Sequence, residues 1–322
     1  MYCNCAVFQS TVNRMNSKNE TRGLWLGLLG VAIFAITLPM TRLATGTADA
    51  PQLSPWFVTL GRAALAGGLS IVFLLATRSR WPTPGEWRPL SIATLGNALG
   101  FPVLIGYALR TISASHAAVI IALLPLATAV VAAIVMHQRA RLGFWLSACI
   151  GAALVVGFSL YRAMQHSAGM ALEWGDVLML GAVASAALGY VYGAKVTPTL
   201  GAEQVICWVC VLALPVTLPG ALLTWPEHSI RASSWWALGY VGVFSMWAGF
   251  FAWYRGLALG GTLKVSQIQL LQPFLSILAA IPLLGESLDL VTVGFALAVV
   301  ATVFIGKRFA SGAPPVPQGK SP

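Results

Sequence analysis

Long apolar runs separated by short polar segments dominate the chain, and most runs have about the 20 residues that a helix needs to cross a bilayer. Leu, Ala and Gly are common in the runs and do not alternate with polar residues at a period of two, which favours helices over a membrane barrel. The pattern predicts ten spans: 23–41, 55–77, 89–109, 115–136, 142–161, 175–194, 203–225, 234–254, 264–285 and 288–306.

The polar segments between the runs are too short to hold an inserted soluble domain. The sequence therefore predicts an all-α integral membrane protein of ten transmembrane helices, with a cytoplasmic amino-terminal tail over 1–22 and a disordered cytoplasmic tail over 307–322. The first tail carries no signal-peptide pattern, and both Met1 and Met15 are candidates for the true start.

The composition agrees with a lipid environment. Of 322 residues, 58% are hydrophobic and 9% are charged, whereas soluble domains carry about 25% charged residues. The net charge of +10 could indicate nucleic acid, but the basic residues stand singly or in small groups between apolar runs. We therefore expect the lipid bilayer as a partner, and no nucleic acid.

The placement of Lys and Arg predicts the orientation, because these residues concentrate on the cytoplasmic side. With a cytoplasmic amino terminus, Arg42, Arg110, Arg162 and Arg231 fall outside and Arg62 falls within a span, so 14 of the 19 basic residues fall inside. This predicts a multi-pass protein of the cytoplasmic (inner) membrane with both termini in the cytoplasm.

Two segments of the chain match each other. Aligning Pro125 with Pro273 pairs Leu123 with Leu271, and the same shift of 148 residues pairs Ala108-Leu109 with Gly256-Leu257. We therefore predict two repeats of five spans, over 23–161 and 175–306. Because five is odd, the repeats must enter the membrane from opposite sides, as inverted repeats of secondary transporters do.

On these motifs the chain resembles the drug/metabolite transporter superfamily, and within it the ten-span EamA-type proteins. The resemblance implies transport through a central cavity between the two repeats, without implying one substrate. The sequence departs from the family pattern after the fourth span, where it has His137-Gln138 and the family often has Gly-Glu. The segments that carry it are Ala117–Pro125, Lys264–Pro273, Leu284–Glu286, Arg62, Tyr107–Leu109 and Tyr254–Ala258.

Polar side chains in the ninth span are candidates for contact with a substrate, since polar groups in hydrocarbon are costly. On one continuous helix, Gln269, Gln272 and Ser276 fall within roughly 60° of each other, and Gln267 and Lys264 share a second face. Amides donate and accept, so such a stripe can hold a polar or zwitterionic solute. The alternative is that these groups join helices by hydrogen bonds.

The remaining candidates lie in other spans. Arg62 either binds an anionic group of the substrate or pairs with backbone carbonyls, and both roles stay open. Trp247 and Tyr254 are candidates for the cavity wall, with helix packing as the alternative. Pro125 and Pro273 are candidate hinges or kinks.

Several classes of site lack a signal. No Asp or Glu lies in the middle of any predicted span, which disfavours efflux of cationic drugs. The four histidines lie at span ends or in loops and are interpreted as solvated or interfacial, and Cys207 and Cys210 as buried small hydrophobes. We expect no metal, no cofactor and no catalytic residue.

The sequence thus predicts a secondary transporter, with export as the expected direction, for a small polar, zwitterionic or anionic metabolite such as an amino acid. Alternating access between the two repeats is the expected mechanism. An intramembrane enzyme acting on lipid and a non-transporting membrane receptor are the alternatives, and a homodimer is left open as an assembly.

Overall fold

The computed structural model describes residues 21–135, 142–165, 173–260 and 268–310, which are helical apart from their turns and an isolated bridge between Gly46 and Pro51. The helices are α1 (21–35, continuing after a turn as Thr37–Thr45), α2 (Pro55–Ala76), α3 (Pro84–Ala93, Thr94–Gly100 and Phe101–Thr111), α4 (Ala114–Ile121), α5 (Leu124–Val135), α6 (Leu142–Gln165), α7 (Trp174–Leu200), α8 (Ala202–Leu223), α9 (Ala232–Tyr240, Val241–Ala248 and Gly249–Gly260), α10 (Gln272–Leu284) and α11 (Leu290–Ala310).

The helices support a multi-pass membrane protein. Within the described ranges, seven segments are long and apolar enough to cross a membrane: α1, α2, α3, α7, α8, α9 and the run Ala114–Ala132 through α4 and α5. The other three predicted spans hold shorter apolar stretches, over Trp145–Phe158, Gln269–Leu284 and Leu290–Thr302. The all-helical membrane class is confirmed, and the number of ten spans stays a prediction.

The fourth and ninth predicted spans differ from single continuous helices. The fourth breaks between α4 and α5, and the ninth begins α10 only after a 3-10 turn over Gln269–Leu271. Pro125 and Pro273 are the second residues of α5 and α10. Proline lacks an N–H and clashes with the preceding turn, so it suits the start of a helix and not its interior.

Helices α3 and α9 each contain a π-helical segment, over Thr94–Gly100 and Val241–Ala248. The first packs closely on α7: a Cβ added to Gly96 would lie 2.6 Å from the carbonyl oxygen of Ser185. The absence of a side chain at Gly96 therefore permits the close approach of α3 and α7. The added residue of a π-turn redirects the side chains that follow, and such turns are frequent at functional sites.

The ends of the helices define two faces. One face, which we call the vestibule face, carries the loops 46–54, 111–113, 224–231 and 285–289. These loops and the adjoining helix ends form hydrogen bonds with one another. Examples are the 3.0 Å bond from Ala48 N to Arg110 O and the 3.1 Å bond from Arg231 N to the Gln52 side chain. On the opposite face, which we call the Arg80 face, Arg80 bonds to the carbonyl of Thr199 at the end of α7 at 2.8 Å.

Candidate functional site

A cavity lies in the middle of the bundle and is lined from α1, α2, α3, α4, α5, α7, α9 and α10. Its free volume is about 30 Å³, room for one or two water molecules, so this conformation is closed around it. The lining is mixed, with aromatic and aliphatic walls and a few polar groups: Phe34, Thr37, Leu38, Arg62, Asn97, Phe101, Ile105, Ile121, Leu124, Tyr190, Ser245, Met246, Phe250 and Gln272.

Arg62 is the one charged residue of this lining, and it is 3% exposed. Its Nη2 donates to the Ser245 hydroxyl at 3.3 Å and approaches the Met246 sulfur at 3.8 Å. Within the described chain, its Nε and Nη1 are buried and have no hydrogen-bond partner, and no carboxylate forms an ion pair with it. A buried guanidinium without an anion is costly, so the cavity is suited to receive one.

Hydroxyl groups position this arginine. Ser245 lies in the π segment of α9 and shares a hydrogen bond of 2.8 Å with Thr37 of α1. Across the cavity, Asn97 lies in the π segment of α3 and packs on α7, where a Cβ added to Gly189 would come within 2.3 Å of its side-chain oxygen. The two π segments thus each supply one polar side chain to the cavity.

The predicted amides are divided by the break before α10. Gln272 is buried and lines the central cavity, whereas Gln269 lies in the 3-10 turn and lines a smaller pocket that Gln272 also borders. Ser276 is buried and donates a 2.7 Å hydrogen bond to the Ala35 carbonyl of α1, which is the interhelical bond considered as the alternative to lining. Gln267 and Lys264 lie outside the described residues.

The two predicted aromatic residues lie away from the cavity lining. Trp247 packs against Phe73 and Phe251, with ring centroids 6.3 and 4.7 Å away. Tyr254 packs against Phe250, one turn nearer the cavity, with a centroid distance of 5.5 Å. Both therefore belong to the apolar cluster that α2, α7, α8 and α9 share, and the Tyr254 hydroxyl lies beside Gly193 of α7.

The vestibule face carries a wide opening of about 460 Å³, lined by residues that include Ser115, His116, Glu173, Glu286 and Asp289. The Glu286 carboxylate caps the start of α4, accepting from the N–H groups of Ala114 and Ser115 at 2.8 and 3.0 Å and from the Ser115 hydroxyl at 2.6 Å. A carboxylate is favoured there, because the N–H groups at the start of a helix lack partners within the helix.

The interpretation of His116 as solvated or interfacial is wrong. Its side chain is 5% exposed, and its Nε2 lies 2.8 Å from Oδ1 of Asp176, whose side chain is 1% exposed. His116 lies in the first turn of α4 and Asp176 in the first turn of α7, 60 residues apart. The tertiary contact buries two groups that position along the chain assigns to the membrane surface.

The Arg80 face carries another ion pair. Arg80 donates to both oxygens of Glu86 at 2.9 and 2.7 Å, and Glu86 also accepts from Thr83 N and the Thr199 hydroxyl. The hydrogen bond with Glu86 raises the pKa of Arg80 above its ordinary value. Glu86 thus joins the start of α3 to the end of α7.

Sequence reasoning missed Thr37 and Ser245 in the cavity lining. The shift of 148 residues contained one signal, since it pairs Asn97 with Ser245. In the described residues no group of His, Cys, Asp and Glu is arranged to hold a metal ion, and Cys207 and Cys210 are buried free thiols.

Comparison with known proteins places this geometry in context. The model of the EamA-like transporter family matches the chain twice, over residues 21–160 and 173–306. The uncharacterized transporter YdeK of Bacillus subtilis (strain 168) is 40% identical over 295 residues, covering 91% of this chain and 99% of YdeK. A protein of known crystal structure has a similar fold, with a TM-score of 0.59 and 18% identity, over 90% of this chain and 98% of that protein.

Proposed function

The chain belongs to the EamA-like transporter family, and from that premise we propose that it moves a small metabolite bearing a carboxylate, such as an amino acid, across the cytoplasmic membrane. The observation that carries the choice of substrate class is Arg62. Two nitrogens of its guanidinium are buried at the cavity without a partner in the described chain. A planar carboxylate can accept from two such nitrogens at once.

The rest of the lining favours a solute that is partly apolar. Phe34, Phe101 and Phe250 supply aromatic walls, while Asn97 and Gln272 supply amides able to donate and accept. An amide can bind the polar group at the other end of a zwitterion without burying a second fixed charge. We propose Arg62, Gln267 and Gln272 as substrate-binding residues, and Gln269, which borders a small pocket next to Gln272, as a residue on the route to them. Trp247 and Tyr254 would support the wall from behind.

We propose that the cavity is reached by alternating access. With about 30 Å³ of free volume, no metabolite fits in the closed conformation, so the helices around the cavity must separate for loading and release. The breaks that precede Pro125 and Pro273 and the π segments of α3 and α9 interrupt the regular helical hydrogen bonds. They are the places where bending costs least.

The proposed mechanism requires two related halves, and the helix bounds support them. Five elements of the first half have a counterpart that begins 147 or 148 residues later: Pro55–Ala76 with Ala202–Leu223, Pro84–Ala93 with Ala232–Tyr240, Thr94–Gly100 with Val241–Ala248, Leu124–Val135 with Gln272–Leu284, and Leu142–Gln165 with Leu290–Ala310. The two π segments share this register, which composition alone would not produce. The twofold match to the family model supports the same division.

The packing of the helices also supports two halves related by a twofold axis. Helix α2 packs on its own counterpart α8, and α6 packs on its counterpart α11. The contact of α3 with α7 has its equivalent in the contact of α9 with α1, and that of α5 with α7 in that of α10 with α1. Exchanging the halves therefore preserves the interfaces. With the five spans that the sequence predicts in each half, we propose that this arrangement is a pair of inverted repeats.

We propose that the Arg80 face is cytoplasmic and the vestibule face is external. The Arg80 face carries Arg78, Arg80, Arg88 and Arg255, whereas six of the nine acidic residues lie at the vestibule face: Asp49, Glu173, Asp176, Glu227, Glu286 and Asp289. A basic cytoplasmic side is the usual arrangement.

Flux through proteoliposomes tests the proposal. The purified protein is reconstituted, and both uptake and release are followed for labelled amino acids and other organic carboxylates, with the corresponding amides as controls. We expect flux of one class of carboxylate above that of empty vesicles, little flux of its amide, and the loss of flux in Arg62→Met. Export predicts that loaded vesicles of the matching orientation release the solute down its gradient. Flux equal to that of empty vesicles for every solute would contradict transport of this class.

A further inference from the structure

The closed vestibule face holds a buried pair of ionisable groups that solute binding does not use. His116 Nε2 and Asp176 Oδ1 are 2.8 Å apart, and both side chains are almost fully buried. At this distance the two atoms form an ion pair when the ring is protonated, and neither has a hydrogen-bond partner in the described residues. The other oxygen of Asp176 accepts from the backbone N–H of Glu173 at 3.1 Å. The imidazole packs edge-on against Phe158, with ring centroids 4.9 Å apart. The ring is therefore held between one carboxylate and an apolar surface.

This arrangement is suited to an imidazolium. A buried carboxylate needs hydrogen bonds or an opposite charge, and the one described hydrogen bond to the Asp176 side chain comes from the Glu173 backbone. A protonated His116 supplies the compensating charge, 2.8 Å from the carboxylate. Without that proton, Asp176 would be a buried anion with one hydrogen bond. A buried charge that has lost its partner strongly destabilises the closed conformation, because that conformation keeps it away from water.

The pair also joins the two proposed halves. His116 belongs to α4 of the first half, and Asp176 belongs to α7 of the second. Any motion that opens the vestibule face toward the cavity by moving α4 away from α7 must separate them and expose both to water. His116 itself lines the vestibule of about 460 Å³, so a proton from the medium can reach it.

We propose that His116 and Asp176 form a proton-binding latch that keeps the vestibule face closed at acid pH and lets it open as the pH rises. The inference rests on the function proposed above, because it concerns the conformational cycle of a transporter. The sign follows from linkage: the closed state binds one proton more than the open state, so protons favour closure.

Other charged groups near the pair have partners of their own. Glu286 is held by the start of α4, and Asp289 binds the N–H of Val291 and the hydroxyl of Thr292. Arg42 of α1 donates to the carbonyls of Leu109 and Ile112. Asp176 of α7 faces the imidazole directly, and the ionisable groups that line the vestibule with His116 are Glu173 before α7 and Glu286 and Asp289 between α10 and α11.

Labelling of a buried cysteine measures the opening without any transported solute. Ile277 lines the vestibule from α10 and is 3% exposed, whereas Ser287 on the same face is exposed. Ile277→Cys and Ser287→Cys are made separately in a full-length chain whose native cysteines are replaced by Ser, and are placed in lipid nanodiscs. A water-soluble maleimide is applied between pH 5.5 and 7.5. The labelling rate of Ile277→Cys is divided by that of Ser287→Cys, because both rates contain the pH dependence of thiol reactivity and their ratio does not.

We expect this ratio to rise about fivefold or more between pH 5.5 and 7.5, since one linked proton allows up to about tenfold per pH unit. His116→Gln and Asp176→Asn should each make the ratio independent of pH, while His228→Gln, which removes an exposed histidine of the vestibule face, should leave the rise unchanged. A flat ratio in the parent chain, a rise that persists in His116→Gln, or a rise lost in Glu286→Gln but not in His116→Gln would each overturn the proposal.

The labelling ratio of the parent chain is measured with His116 and Asp176 unchanged. A flat ratio there overturns the proposal even if a variant of the pair fails to fold. A pH-dependent ratio in a protein that moves no carboxylate would leave the latch standing and remove only the proposed function.

Discussion

Replacing Arg62 by Met separates a role in binding from a role in folding. The substitution keeps an unbranched side chain about as long as the aliphatic stem of arginine and removes the charge. The guanidinium has two partners in the described chain, the Ser245 hydroxyl at 3.3 Å and the Met246 sulfur at 3.8 Å. Ser245 keeps its 2.8 Å bond with Thr37. The loss of one long hydrogen bond, about 1 kcal/mol, is offset by removing a buried unpaired charge. We therefore expect an unchanged or raised free energy of unfolding.

The effect on binding should be large. A substrate carboxylate on Nε and Nη1 of Arg62 would accept two charge-assisted hydrogen bonds, each contributing about 1.5–3 kcal/mol. Losing both weakens binding by at least about 3 kcal/mol, which corresponds to a factor of more than about 100 in the dissociation constant.

A thermal-shift titration measures both effects in one experiment. The parent, Arg62→Met and the control Arg231→Met, which removes an arginine from a loop of the vestibule face, are titrated with matched carboxylates and amides. We expect Arg62→Met alone to lose stabilisation by the carboxylate, with its ligand-free Tm unchanged or higher. A ligand-free Tm lowered by more than about 5 °C would assign Arg62 to folding, and equal shifts by carboxylate and amide in the parent would refute its role in binding.

Two further substitutions test the packing of the halves, both measured as Tm in detergent. Gly96→Ala should destabilise the protein by about 1–3 kcal/mol, because its Cβ would lie 2.6 Å from the carbonyl oxygen of Ser185. The control Gly68→Ala, where the Cβ meets no atom within 4 Å, should leave the stability unchanged or raise it. Equal effects of the two substitutions would contradict the close approach of α3 and α7. Glu86→Gln should lower Tm, because its carboxylate joins the start of α3 to the end of α7. The control Glu227→Gln, in a loop, should leave Tm unchanged. An unchanged Tm in Glu86→Gln would show that this junction does not stabilise the fold.

Hydrophobic patterning predicted the membrane class, the approximate bounds of most helices and the candidate Arg62, because these depend on composition and on local punctuation. It could not predict the two π segments, since an added residue in a turn leaves the apolar pattern of a fully apolar helix unchanged. The break before α10 was missed for the same reason. As a result, a 3-10 turn separates Gln269 from Gln272. The two amides share a small pocket, and Gln272 also lines the central cavity.

The partnership of His116 with Asp176 was also beyond sequence reasoning. Each residue lies in the first turn of a helix, where exposure is the usual outcome, and nothing local indicates that the two turns meet. Their burial comes from the packing of α4 against α7, a contact between the proposed halves. The same holds for Ser245, which is one polar residue in an apolar run until the fold brings it to Arg62.

The central claim is that one cavity opens in turn to the two sides of the membrane. Phe101 lines that cavity and is half-buried, so Phe101→Cys in a background without other cysteines reports its access to a membrane-impermeant thiol reagent. In sealed vesicles of each orientation, we predict labelling from either side, slowed by a bound carboxylate solute, while vesicles remain impermeable to the reagent. Labelling from only one side in both the presence and the absence of solute would contradict alternating access.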